Sequence, residues 1–405
     1  MHASPSTPLR FALFCRVVDN FGDAGVCWRL ARQLAREHGA DVTLWIDGLD
    51  ALRAIEPDAA HDRRVRDVLI RAWPDATDTT DAPASKNAPH RHDAPCAAPF
   101  ADMPAHVIVS AFGCTLPAPV RAALAPGAAR GGLPPPLWVN LEYLSAEAWV
   151  EGCHGLRSVK PDDGAVEHFF YPGFTPATGG LLREHDLFAT RDDFLAREAV
   201  RWLNDRDLLP APGERLVSLF CYREAALDGW LRALGESPRP TRVLVPTGVA
   251  ELAMLRVFKG RLGTQAGARA TLGTLTVQRI PWMPQDDYDR LLWCCDLNVV
   301  RGEDSWIRAH WAGRPFLWQP YPQPDHAHFA KLDAFLTRFA QATGAPTPAR
   351  ELMYALAGRG DAHAAARRYD TVLDSLRTAH RQWTAHLAAH TDLASALVGF
   401  CHDRL

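Results

Sequence analysis

An α/β fold of two parallel-sheet units in succession, closed by a helical tail, is what the sequence predicts. Three observations predict it. Short apolar runs alternate with helical spacing through the first half of the chain. The alternation breaks in a turn-rich passage and then restarts. Beyond residue 322 only helical spacing remains. Strands separated by helices give a parallel sheet whose connections cover its faces. A chain of 405 residues also exceeds one ordinary core and fits two domains.

The first unit, 1–180, opens with "RFALFCRVV" (10–18), a short apolar strand ending near Val18. "VCWRLARQLAREHG" (26–39) has helical spacing at Val26, Leu30 and Leu34, and Gly39 ends it. Strands follow at "DVTLWI" (41–46), "AHVIVSAFG" (105–113) and "PLWVNLEYL" (136–144). Residues 74–104, rich in Ala, Pro, Asp and Thr without periodicity, read as a mobile surface insertion. Its His90-Arg91-His92 run reads as part of that polar tract, since no ordered third metal ligand is indicated. "FFYPGFTPATGGLLREHDLF" (169–188) reads as the passage between domains, with Gly179 and Gly180 at a turn and no chemical role.

The second unit, 181–405, repeats the pattern. Strands are expected at 214–222, 241–248, 275–283, 296–300 and 315–322. Helices are expected around 224–235, from about 249, and at 286–295 and 305–313. In the tail, Tyr369, Val372, Leu373, Leu376, Trp383 and Leu387 mark one face of a helix over 369–387.

Composition narrows the function classes. The chain is 47% hydrophobic and 22% charged, with a net charge of -3, so nothing indicates broad adhesion to nucleic acid or anionic membrane. The first apolar run is stopped by Arg16, too short for a signal-peptide core. No run approaches the roughly 18 apolar residues of a membrane span. The nine cysteines are odd in number and have no CxxC spacing. They read as free thiols of a reducing cytoplasm, with Cys294 and Cys295 in the core.

Ligands of open parallel sheets bind beyond the carboxyl ends of the strands. Two such units facing each other make a cleft that takes one ligand from each side, as in GT-B glycosyltransferases; on pattern alone this is an analogy of fold. The loop "DNFGDAG" (19–25) stands at the first such end. It lacks GK[ST], and its Gly22 and Gly25 are spaced GxxG rather than GxGxxG. Read singly, Asp23 is an N-cap and Asp19 a turn residue, with Gly22 and Gly25 shaping the turn. Read together, two carboxylates would repel phosphate. They would attract a cation or accept a proton from a nucleophile.

Three stretches of the second unit offer an anion and nucleotide site. In "VVRGEDSW" (299–306) a strand ends and a helix begins, where free N–H groups suit phosphate. Ser305 reads as an N-cap, and Glu303 and Asp304 as first-turn acids or acceptors for sugar hydroxyls. Arg301 would meet a diphosphate, or pair with Glu303 or Asp304. In "IPWMPQDDYDRLL" (280–292), Trp282 is a stacking surface or a packing residue, and Gln285 a partner for a ribose hydroxyl or a helix start. In "SLFCYRE" (218–224), Phe220 and Tyr222 are core residues or close over a nucleotide.

Taken together, "RVVDNFGDAGVCWRLARQLA", "VNLEYLSAEAWVEGCHGL", "PGFTPATGGLLRE" and "IPWMPQDDYDRLLWCCDLNVVRGEDSWIRAHWAGRPFLWQPYPQ" resemble the bacterial protein-arginine rhamnosyltransferases that modify elongation factor P, the EarP family. The resemblance runs from about residue 11 into the C-terminal helices. It implies a GT-B type α/β fold of two Rossmann-like domains, with C-terminal helices that pack back on the first. It implies an inverting enzyme, without metal or other cofactor, in the cytoplasm. L-rhamnose would pass from dTDP-β-L-rhamnose to one arginine of elongation factor P, giving α-rhamnosyl-arginine and supporting translation of polyproline stretches. The implied partners are elongation factor P and dTDP-β-L-rhamnose, with no nucleic acid or membrane.

By motif position, Asp23 matches the family's proposed catalytic base and Asp19 its second essential acid. Phe220, Tyr222, Trp282, Gln285, Glu303, Asp304 and Ser305 fall on donor-binding positions. The family often has Phe where this chain has Trp282 and Trp306, so stacking is kept. The chemistry agrees with the residues. A guanidinium is delocalised and ionised to a pKa above about 12, so it must be oriented and relieved of a proton late in the reaction. A carboxylate matches its fork. The alternatives are a GT-B enzyme with a small-molecule or lipid acceptor, and a non-catalytic nucleotide-sugar-binding protein.

Overall fold

The structure, a computed structural model, describes residues 8–19, 21–73, 105–128, 134–223 and 225–405. The insertion expected at 74–104, with its histidine pair, lies outside the described residues.

The first unit holds β1 (Arg10–Cys15), β2 (Asp41–Ile46), β3 (Arg63–Val65), β4 (Val68–Ala72), β5 (Val107–Ala111), β6 (Leu137–Leu141), β7 (Arg157–Val159) and β8 (Val166–Phe170). They form one sheet in the order β3-β4-β2-β1-β5-β6-β8-β7. Only the β3/β4 and β7/β8 pairs are antiparallel; the others run parallel. Strand β5 is buried along its whole length, as expected when helices cover both faces of a parallel sheet. The intervening helices are α1 (Phe21–His38), α2 (Leu49–Ile55), α3 (Ala118–Leu124) and α4 (Trp149–Cys153).

Helix α1 begins five residues before the expected start at Val26. Gly22 N–H donates to the Asp19 carbonyl at 2.7 Å. The Asp23 carboxylate, at the third helical position, turns back to accept from Val18 and Asp19 N–H groups that precede the helix. Asp23 is therefore inside the helix rather than its N-cap. Gly22 and Gly25 are helical rather than turn-forming. Glycine's low helix propensity misplaced this boundary.

Helices α5 (Leu187–Arg197) and α6 (Ala199–Asp205) lead into the second unit. Its strands are β9 (Arg215–Leu219), β10 (Thr241–Pro246), β11 (Arg269–Leu272), β12 (Leu275–Ile280), β13 (Leu297–Arg301) and β14 (Phe316–Gln319). They order as β11-β12-β10-β9-β13-β14, with only the β11 edge antiparallel. Between them lie α7 (Leu227–Glu236), α8 (Glu251–Phe258), α9 (Gln285–Cys294) and α10 (Asp304–Ala312).

The tail is α11 (Ala327–Thr343), α12 (Thr347–Leu356), α13 (Ala362–Thr371), α14 (Leu373–Ala388) and α15 (Leu393–His402). The single helix expected over 369–387 breaks at Val372, though Tyr369, Leu376, Trp383 and Leu387 are still buried. Helix α15 returns to the first unit. Phe400 meets Phe170 edge to face at 5.3 Å, and Gln33 donates to Asp392 at 3.0 Å. Gly180 has φ +73, and a Cβ there would stand 2.2 Å from the Thr391 carbonyl oxygen, so this turn admits no side chain.

Trp306 does not face the cleft. It stacks on Trp318 with centroids 3.6 Å apart, inside an aromatic core with Phe335 and the buried His310. The described cysteines are all free. No described helix is long and apolar enough to cross a membrane.

Setting the antiparallel edges aside, strand order reverses between β1 and β5 in the first sheet and between β9 and β13 in the second. Ligands of doubly wound sheets bind beyond the carboxyl ends at such points. The chain leaves them at residues 16–19, 112–114, 220–222 and 302–303.

Candidate functional site

Asp19 and Asp23 follow β1. Asp23 is buried. Its Oδ2 accepts from Val18 N–H at 2.8 Å and Asp19 N–H at 2.9 Å, and the Tyr143 hydroxyl lies within hydrogen-bonding reach. Burial raises the Asp23 carboxyl above its ordinary range, opposed by those donors. Asp19 reaches to the other unit, where its Oδ2 accepts from the Tyr222 hydroxyl at 2.7 Å. Burial raises its carboxyl too, while Tyr222 and Arg301 pull it down and Asp23 pushes it up.

Glu303 crosses in the opposite direction. It stands immediately before α10, in the N-cap position without a side-chain cap bond. Its carboxyl meets Leu144 N–H of the first unit, and Oε1 is buried without a partner. Burial, with Asp23 adding repulsion, pushes it up to about 8. The two units thus bring three carboxyl groups together, with Asp23 close enough to perturb both Asp19 and Glu303. Glu303, expected among the donor contacts, stands beside Asp23 and is not among the residues lining the neighbouring cavity.

Next to the acids lies a cavity between the units. Asp19, Phe21, Gly22 and Ile55 line it from the first. Phe220, Trp282, Gln285, Tyr288, Arg301, Gly302, Asp304 and Ser305 line it from the second. Trp282, 40% exposed, meets Phe21 at 4.7 Å and Phe220 at 5.7 Å. Arg301 lies over Phe220 at 4.3 Å and Tyr222 at 4.7 Å, and donates to the Cys221 carbonyl. It pairs with neither Glu303 nor Asp304, so its charge faces the cavity beside the start of α10. Ser305 does not cap that helix: its Oγ donates to the Arg301 carbonyl at 2.5 Å. Gln285 donates to Gly25 O and Asp304, leaving Oε1 buried without a partner at the cavity wall. Gly302 has φ +59, and a Cβ there would meet both the Tyr222 hydroxyl and Asp19 Oδ2 within 3 Å.

Asp304 is drawn into a second cluster. Arg29, on α1 and only 2% exposed, donates to Asp304 at 2.8 Å and to both oxygens of Asp289 at 2.9 and 3.0 Å. Arg308 binds Asp289 at 2.7 Å and Glu184 at 2.7 Å. Although burial opposes ionisation, Arg308 and Arg29 hold the Glu184 carboxyl at about 2. This network fastens α1 to α9 and α10.

Sequence reasoning missed several of these residues. Phe21 fell in the expected loop, Tyr288 in an expected helix, and Arg29 in the expected first helix, and none was singled out. Tyr143 falls at the end of a predicted strand, the one signal that could have marked it.

The arrangement joins an anion-compatible cavity, containing one arginine and a helix start, to an acidic corner built by both units. Comparison with known proteins is consistent in direction. Residues 11–402 match the sequence profile of a family described as elongation-factor P (EF-P) rhamnosyltransferase EarP. A protein-arginine rhamnosyltransferase of Pseudomonas putida is 43% identical over 97% of this chain and 98% of its own. One from Pseudomonas aeruginosa is 42% identical over 97% and 99%. A solved structure described as the structural basis for EarP-mediated arginine glycosylation of translation elongation factor EF-P shares 32% identity. It aligns with a TM-score of 0.62 over 98% of this chain and 99% of that one.

Proposed function

This chain belongs to the elongation factor P rhamnosyltransferase family, and from that premise we propose that it transfers L-rhamnose from dTDP-β-L-rhamnose to the guanidinium of one arginine of elongation factor P. The products are α-rhamnosyl-arginine and dTDP, and the modified factor supports translation of polyproline stretches. The observation that carries this reading is the acidic corner: Asp19 and Asp23 form no ion pair with any described guanidinium, and Asp19, with Asp23 buried behind it, lines a cavity suited to a nucleotide diphosphate.

In this reading the acceptor arginine lays its fork against Asp23 and Asp19. Its nitrogen attacks the anomeric carbon from the face opposite the diphosphate, so configuration inverts. As the C–N bond forms, the C–O bond to the diphosphate breaks and its electron pair leaves with dTDP. Asp23, held by two backbone N–H groups, takes the proton from the attacking nitrogen. An ordinary aspartate is far too weak a base to deprotonate a free guanidinium. Proton transfer is therefore late, once nitrogen has begun to bond carbon. Arg301 and the amide groups opening α10 take the charge growing on the diphosphate. Phe220, Trp282 and Tyr288 enclose the nucleotide, with Gln285 Oε1 as an acceptor for one of its donors.

Incubation with elongation factor P and dTDP-β-L-rhamnose, followed by mass spectrometry, tests the proposal. One deoxyhexose on a single arginine is the expected result. An unmodified factor under varied conditions would overturn it.

A further inference from the structure

At the carboxyl end of β5 two successive residues, Phe112 and Gly113, adopt left-handed backbone angles, φ +58 and +66. Glycine does this freely, whereas a phenylalanine there is strained and needs its surroundings to hold it. They do so here. Phe112 N–H donates to the Leu141 carbonyl at 2.6 Å, and Gly113 N–H donates to Asn140 Oδ1 at 3.2 Å. The consequence is a stack: the Phe112 ring lies against Tyr143 with centroids 4.4 Å apart and planes 16° from parallel. Tyr143 remains 40% exposed, with its hydroxyl in reach of Asp23.

We infer that Tyr143, propped by Phe112, is a positioning and specificity residue for the acceptor, orienting the Asp23 carboxylate with its hydroxyl and presenting its ring as a wall for a planar cation. The inference rests on the arginine-transfer reading above. A guanidinium engaged with Asp23 must lie beside the tyrosine. It is flat, weakly hydrated and stacks on aromatic faces, whereas a lysine ammonium is a compact, strongly hydrated point charge. The wall therefore favours arginine over lysine before any bond is made. The hydroxyl adds a second effect. Asp23 also faces Asp19, Glu303 and Asp47, with Cys15 and Cys27 beneath it. Each of these acids disfavours its charge, and Tyr143 favours it.

The test uses the full-length protein, elongation factor P and dTDP-β-L-rhamnose, with Tyr143→Phe and Tyr143→Leu. In Tyr143→Phe the acid limb of the kcat/KM profile moves to higher pH, because Asp23 ionises less readily, and rates converge toward wild type at high pH. Tyr143→Leu also raises KM for the acceptor by about five- to tenfold, as expected for a lost cation–π wall. Calorimetric affinity for dTDP stays within about twofold in both. An unmoved acid limb with an unchanged acceptor KM overturns the inference. So does a parallel loss of dTDP affinity and melting temperature, which would mark a merely structural tyrosine. If wild-type protein itself modifies no arginine, the transfer reading has failed and the inference falls with it.

Discussion

Two acidic clusters bridge the units, and neighbouring residues belong to different ones: Glu303 to the corner with Asp19 and Asp23, Asp304 to the network with Asp289 and Glu184. In the network, three carboxylates meet two buried guanidiniums, and Glu184 is held at about 2. In the corner, three carboxyls share tyrosine hydroxyls and backbone N–H groups, and Glu303 is pushed up to about 8. The fold is able to neutralise buried acids with arginine, and does so one residue away. The difference separates a fastening from a candidate binding site. Each acid of the first is paired with arginine inside the fold, whereas on the proposed function the second would gain when a cation arrives from another molecule.

The sharpest way to break that comparison is Asp23→Asn. It should reduce transfer roughly a thousandfold, within the range for a lost general base, while calorimetry finds dTDP affinity little changed. A large loss of donor binding would place Asp23 on the other side of the cleft. Arg29→Ala tests the fastening. Removing one partner of a buried pair costs about 3–5 kcal/mol, so urea denaturation should show a large loss of stability. Asp19→Asn should show little, and similar losses in both would erase the distinction.

Glu303→Gln is a pH experiment. Glu303 ordinarily titrates near 4.5 and in the fold near 8, so between these values the native state holds a proton that the unfolded state has released. Stability from this group is complete below about 4.5 and is lost as pH rises through about 8. The glutamine variant should flatten that decline in denaturation curves from pH 5 to 9. Smallest is Tyr222→Phe. It deprives Asp19 of a hydroxyl donor, and hydrogen bonds to charged groups are worth about 1.5–3 kcal/mol. Transfer should fall by roughly tenfold or more, with Asp19 ionising at higher pH.

The parallel core of both sheets was legible because β1, β2, β9, β10, β12 and β13 are short runs rich in apolar and β-branched residues, separated by helical spacing. The edge strands β3, β7 and β11 were not: each is three or four residues long with exposed positions, and no period shows in so short a run. Asp19, Asp23, Phe220, Tyr222 and Trp282 were legible as candidates because they sit at strand ends. What those acids touch was not. The Asp19–Tyr222 bond spans 203 residues of sequence and the Arg29–Asp304 bond 275. Such pairings depend on how two sheets face each other, which local spacing does not encode. Trp306 shows the converse: its neighbours in sequence line the cavity, but the helical turn carries its ring into the core.

Gly25 sets a condition on how this protein can evolve. A Cβ there would lie 3.0 Å from Asp304 and from Gln285, so the first half meets the second at the width of one missing methyl group. Recombination would join one half from one lineage to the other half from another. Here a transplanted half would have to bring a bare helix surface, an arginine one turn further along and an aspartate at matching height. The two halves are in that sense a single heritable unit, and substitutions at this seam must be matched across it.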